Sequence, residues 1–174
     1  MKLFDIFKQS LKEDMEVDPQ GNLVGKGAKD ISDANSTTIK SLKKEDGPYN
    51  NVYIPNSSIK IIQPNIDVYG DLILTDCKEL YVIGSNLTVH GVLDLSGCIK
   101  ITPEILGHTR MKVGEDLIVA DMPVGELIID HLESSGIRDF YGNSTQNYLR
   151  KIIQDTLKIK IEGKIILDRD TGLI

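Results

Sequence analysis

The chain has 174 residues, enough for one domain with a real core, and its 26 acidic against 20 basic side chains leave a formal charge of −6. That balance argues against a nucleic-acid backbone as the main partner, which needs a concentrated positive stripe, and no apolar run approaches the ~20 residues that span a membrane. Tryptophan is absent, and the two cysteines follow an opening, "MKLFDIFKQSLKED", with no secretory character, so they are expected to be thiols in a reducing, cytoplasmic compartment.

Residues 1–16 are expected to form a short amphipathic helix, because Leu3, Phe4, Phe7 and Leu11 share one narrow face. Residues 17–51 turn polar, with many Gly, Ser, Thr and Asn. Such text buries too little surface to offset its ordering entropy, so a linker is expected there, flexible or ordered by a partner.

From Val52 the apolar residues come in pairs two apart, the period of a strand with one buried face. Val52/Ile54 maps to Leu72/Leu74, Leu93/Leu95 and Leu117/Val119, at steps of 20, 21 and 24 residues. Ile59/Ile61 maps to Leu80/Val82, and Ile66/Val68 maps to Leu87/Val89 and Met111/Val113. Three short strands per repeat predict a mainly β chain, with a parallel β-solenoid of about four turns over 52–142, each turn ~4.8 Å above the last. Gly70, Gly84 and Gly91 are expected at the corners for their backbone freedom.

The longer third turn holds "TPEILGHTR", which predicts one helical turn with Thr102 as N-cap, Pro103 at the first position and Gly107 as the stop. Residues 143–174 are expected to cap the far end. "NSTQNYLRKIIQDTL" reads as a helix capped by Asn143 or Ser144, burying Tyr148, Leu149, Ile152, Ile153 and Leu157, and "KIKIEGKIILD" reads as a β-hairpin.

"LDLSGCIKIT", Leu93 to Thr102, resembles the cysteine-containing leucine-rich repeat, whose consensus begins Leu-x-Leu-x-x-Cys-x-x-Ile-Thr, and "LILTDCKEL" from Leu72 matches it more loosely. "LTVHGVLDLSG" is similar to "TVGGDLDLSGT"-type repeats of uncharacterised phage and bacterial proteins. The resemblance covers about residues 52–125. It implies a repeat fold, either a β-solenoid or a short leucine-rich horseshoe, and a phage virion setting, and it brings no catalytic residues.

Little in the text points to catalysis. Cys77 and Cys98 hold the same place in consecutive turns, with Ser57 before and Met122 after, so a buried structural column is expected and a metal site is not. His108 falls in the helical insert. His131 follows "ELIID", read as a strand, where Asp130 beside it would point to the opposite face. Asp67, Asp71, Asp76 and Asp94 fall in four different columns, where they are expected to serve solubility.

No cofactor is expected, and the chain reads as a non-enzymatic structural or protein-interaction module, a phage virion accessory protein docking through Leu3, Phe4, Phe7 and Leu11. Outward columns offer a second surface, Tyr69 with His90 and Ile73 with Ile118, and Ile83 is expected to be uncovered as well. The alternatives are a bactofilin-like scaffold, self-assembling and recruited to a membrane through "MKLFDIF", or a small inhibitor of a host enzyme. The partner is expected to be protein, a homo-oligomer included.

Overall fold

The computed structural model describes Met15–Val17, Leu23–Gly25 and residues 27–168. It is a parallel β-solenoid of about four turns with three faces to each turn. On the first face lie β3 (Lys29–Ser32), the end of β5 (Tyr49–Tyr53), β8 (Leu72–Ile73), β11 (Leu93–Asp94), β13 (Leu117–Ile118) and β15 (Ile165–Ile166). Their register stacks Ile31, Val52, Leu72, Leu93, Leu117 and Ile165 in one inward column. The second face holds β4 (Ser41–Leu42), β6 (Ile61–Ile62) and β9 (Val82–Ile83). The third begins at Tyr49 and continues through β7 (Asp67–Val68), β10 (Thr88–Val89), β12 (Lys112–Val113) and β14 (Lys160–Ile161). A third strand in every regular turn makes this a solenoid and not a two-sided horseshoe.

Aliphatic columns hold the stack together. Val52, Leu72, Leu74, Leu93 and Leu95 are all fully buried, and each such side chain contributes about 1.5–3 kcal/mol by leaving water. The corners are set by backbone conformation. Asn35, Asn56, Asp76, Gly97 and Asp121 form one column of left-handed residues, and Asn65, Asn86, Arg110 and Lys158 form another. Asn and Asp tolerate positive φ better than other side chains, and the amides of Asn35, Asn56, Asn65, Asp76, Asn86 and Gly97 donate to the turn above, as Asp76 N–H does to the Ser96 carbonyl at 2.7 Å.

The corner glycines serve a different purpose from the one expected. Gly70, Gly84 and Gly91 do not have positive φ. They leave room for the neighbouring turn: a Cβ on Gly91 would lie 2.2 Å from Asp71 Oδ1, the oxygen that accepts the Val92 N–H at 2.8 Å. Asp71 therefore joins two turns and is more than a solubilising charge.

The solenoid starts earlier than Val52. The polar stretch supplies β3 and β4, a complete first turn that buries Leu42 and Tyr49, with Ile31 and Ile39 packed against the core. The Tyr49 hydroxyl donates to the Lys43 carbonyl at 2.6 Å. One apolar residue per face is enough because the second turn provides the rest of the contact, so local composition underestimates what the segment buries. Strands β1 (Met15–Val17) and β2 (Leu23–Gly25) pair antiparallel just before it.

On the second face the inward phase differs from the expected pairs. Ile62 and Ile83 point inward, whereas Val82 is 37% exposed, so Ile83 is not an uncovered side chain. A doubled contact marks the bend at each rung. The Lys60 carbonyl accepts both Tyr81 N–H (3.1 Å) and Val82 N–H (3.3 Å), and the Lys40 carbonyl likewise takes Lys60 N–H (2.9 Å) and Ile61 N–H (3.4 Å). The strands keep regular parallel register, Ile61 opposite Val82 and Ile62 opposite Ile83, and the inward residues Ile59 and Leu80 are followed by the next ones three positions on, at Ile62 and Ile83.

Helix α1 (Pro103–Gly107) replaces the second-face strand of its turn, with Thr102 at the N-cap position but without a side-chain cap bond. "ELIID" belongs to a helix, α2 (Pro123–Ser134), and not to a strand. Helix α3 (Asn143–Leu157) follows, its N-cap being Gly142, so neither Asn143 nor Ser144 takes that position. The strands after it do not form a hairpin. β14 pairs in parallel with β12 and β15 with β13, so the chain resumes the coil after α2 and α3 have filled the second-face position. An existing parallel edge on each face offers the two strands more partners than they could offer each other.

Candidate interaction site

The last rung would present an open strand edge, and α3 covers it. Gln146, a buried side chain, accepts the Ile165 N–H at 2.8 Å and donates to the Ile165 carbonyl at 3.0 Å and the Phe140 carbonyl at 2.9 Å. It does for Ile165 what a further rung would do. Arg150, one helical turn along, donates to the Gly163 carbonyl. An unpaired edge is a template for association, and here it is closed by side chains of the chain itself.

Covering the edge fixes α3 beside α2 and opens an apolar trough between them, about 540 Å³ in volume. Val124, Leu127, Ile128 and His131 line it from α2, and Tyr148, Ile152, Ile153 and Thr156 from α3, with Pro103 of α1 at its base. Leu127 is 57% exposed, a large apolar side chain with nothing over it among the described residues. At the rim His131 Nε2 lies 2.9 Å from the Tyr148 hydroxyl, with the two rings stacked at 6.2 Å. The trough was hidden from the sequence by the reading of "ELIID" as a strand. The signal that would have revealed it is Pro123 followed by Val124, Ile128 and Leu132 at four-residue spacing.

The residues singled out from sequence fall in three places. Leu3, Phe4, Phe7 and Leu11 lie outside the described residues. Tyr69 and His90 meet on the third face, rings stacked at 5.3 Å and 5° apart, with His90 Nε2 2.9 Å from Asp67 Oδ1. Ile73 and Ile118 are half-buried on the first face, separated in their column by Asp94. They do not join Tyr69 and His90 in one patch. Asp94 accepts hydrogen bonds from Thr75 Oγ1 (2.7 Å), Ser96 N–H (2.8 Å) and Ser96 Oγ (2.6 Å), so it fixes a corner. On the second face Glu79 is held below the usual carboxylate range by its bond from Lys100 at 3.1 Å, with Lys60 and Lys40 adding to it. This pair is about half exposed, where ion pairs contribute little.

The cysteines form the expected column. Cys77 Sγ donates to the Ile54 carbonyl and Cys98 Sγ to the Leu74 carbonyl, each at 3.2 Å, and Ser57 Oγ lies 3.3 Å from Cys77 Sγ. Burial pushes the Cys98 thiol up to about 12, and burial raises Cys77 too. Thiolate is the reactive form, so a maleimide at neutral pH is expected to label neither cysteine until the chain is unfolded; rapid labelling of the native chain would contradict the column. Because the folded Cys98 pKa exceeds the ordinary 9.0, its stabilisation is whole below that pH and is lost as pH rises toward 12. Urea midpoints are expected to fall over that window, less so in Cys98→Ala.

Among the described residues no three His, Cys, Asp or Glu side chains are grouped to hold a metal ion. His90 follows β10, His108 follows α1 and His131 lies in α2, so the three are far apart in the chain, and Asp130 and His131 are neighbours on an exposed part of α2. Comparison of this chain with protein-family models, with curated proteins and with solved structures finds no match.

Proposed function

We propose that this chain is a non-enzymatic protein-interaction module: a rigid, end-sealed solenoid that presents the α2–α3 trough, with the N-terminal segment as a docking arm. The observation that carries the reading is the trough itself. Gln146 and Arg150 satisfy the far edge internally, whereas Leu127, the most exposed large apolar side chain among the described residues, lines an apolar concavity, and exposed apolar concavities with a polar rim mark interaction sites. The repeat text from Val68 to Cys98 makes a virion accessory protein the setting to examine first. A bactofilin-like end-to-end polymer is disfavoured, since Gln146 and Arg150 occupy the hydrogen-bonding groups through which a neighbour would stack.

The reading is tested with a photo-crosslinking residue at position 127 of the full chain, in the cells that express it. Discrete adducts are expected from position 127 and not from exposed Glu104 on α1. A uniform background from both positions would remove the basis for the proposal.

A further inference from the structure

Building on the interaction reading above, we propose that the trough between α2 and α3 receives the N-terminal residues 3–11 of a second copy of this chain, laid in as the apolar face of a helix. Dimensions agree first. The α3 wall runs from Tyr148 through Ile152 to Thr156, about 12 Å at ~1.5 Å per residue. Leu3 to Leu11 spans the same ~12 Å as a helix, with Phe4 and Phe7 between. Two of the chain's three phenylalanines lie in this segment, and the third, Phe140, packs on the core beneath α3. Large aromatic anchors in an apolar groove are how amphipathic helices are recognised.

Charge agrees as well. Lys8 and Lys12, four residues apart, would border the segment's apolar face on one side, and Glu126 and Asp130, also four apart and exposed, border Leu127 on α2. Opposite charges at matched helical spacing fix the register of a docked helix.

Reach decides which copy provides the arm. Met15 pairs with Gly25 just before the first turn, which begins at Lys29 opposite Tyr49. Leu11 is four residues before Met15 and extends at most about 14 Å from it. The trough belongs to the last two turns, three or more rungs away, so the rise of ~4.8 Å per rung already uses about 14 Å before any sideways step. A chain's own trough is thus beyond its arm, whereas a neighbour's is accessible, and two chains exchanging arms make a closed dimer.

The test mixes two full-length variants, Phe7→Cys and Leu127→Cys, under mild oxidation, the native cysteines being buried. A disulfide joining the two different chains is expected, at least tenfold above that from Phe7→Cys mixed with Ser32→Cys, whose position is exposed on the first turn. Lys8→Glu with Lys12→Glu in the Phe7→Cys chain should lower the yield severalfold, and Glu126→Lys with Asp130→Lys in the Leu127→Cys chain should restore it. Equal yields from both mixtures overturn the proposal, as does an intrachain disulfide in the dilute double variant Phe7→Cys/Leu127→Cys. If the photo-crosslinker at 127 captures a different protein while this pair does not trap, arm exchange falls and the interaction reading stands. If neither reacts, both fall.

Discussion

Replacing Gln146 with Leu is expected to destabilise the folded chain by about 3–5 kcal/mol, because a buried donor or acceptor left without a partner costs ~1–3 kcal/mol. The substitution keeps most of the side-chain volume and removes the bonds to the Ile165 N–H, the Ile165 carbonyl and the Phe140 carbonyl. The two bonds to Ile165 are buried and the one to the Phe140 carbonyl is part-buried. Urea unfolding reads the loss directly. A second consequence follows at the edge itself: with Ile165 unpaired, the variant should grow with concentration into assemblies larger than the parent's closed dimer. A change below about 1 kcal/mol would mean that the edge is already hydrated and that α3 does not seal it.

Gly84→Ala is expected to cost about 3 kcal/mol or more, at the upper end of what overpacking a close-packed interior does. A Cβ there would sit 2.3 Å from Pro64 N and 2.5 Å from the Gln63 carbonyl carbon. Both are backbone atoms of the adjacent turn, so no rotamer change relieves the clash and the two turns must separate. Gly107 at the end of α1 is the internal control, since a Cβ there meets nothing within 4 Å. Gly107→Ala should be neutral or stabilise by up to about 1 kcal/mol, through the lower chain entropy of alanine. Equal losses at the two positions, measured in one set of thermal melts, would refute close approach as the reason for Gly84.

The coil was legible because its first-face columns are chemically uniform. Val52, Leu72, Leu93 and Leu117 each begin a pair two apart, and the structure stacks them in the register their spacing implies. Three things were not legible, for separate physical reasons. Turn one spreads Ile31, Leu42 and Tyr49 over a polar segment, and its burial depends on the next turn, which no local window contains. Entering the second face the inward residues are three apart and not two, Ile59 with Ile62 and Leu80 with Ile83, and no residue type marks that step. After α3, two strands around Gly163 read as a hairpin from local signals alone, whereas the parallel edges that claim them were laid down 48 residues earlier, the distance spanned by the bond from Lys164 N–H to Asp116 Oδ1. The left-handed corners were present in the text all along. Asn35, Asn56, Asp76 and Asp121 each stand immediately before the column that includes Ser57, Cys77 and Met122.

For the site, half of the pattern could be read. The apolar face of Leu3, Phe4, Phe7 and Leu11 is visible as spacing, but its proposed seat is made by α2 and α3 filling the second-face position of the last turn. That juxtaposition exists only once the strands on both sides have found their rungs. Tyr69 and His90 were paired correctly from the repeat alone, because a step of one turn in a solenoid is a step of one stacked neighbour.

Light scattering coupled to size exclusion, on the full chain and on full-length Leu127→Glu over a range of concentrations, tests the central claim that the solenoid is sealed at its end and associates through its helical trough. The parent is expected to run as a species of finite mass, a closed dimer that does not grow with concentration, and Leu127→Glu as a monomer with an unchanged melting temperature, as for a substitution on an exposed surface. Open-ended assemblies that lengthen with concentration and persist in Leu127→Glu would contradict it, because they would show that the coils stack through their edges and that the Gln146 seal does not hold.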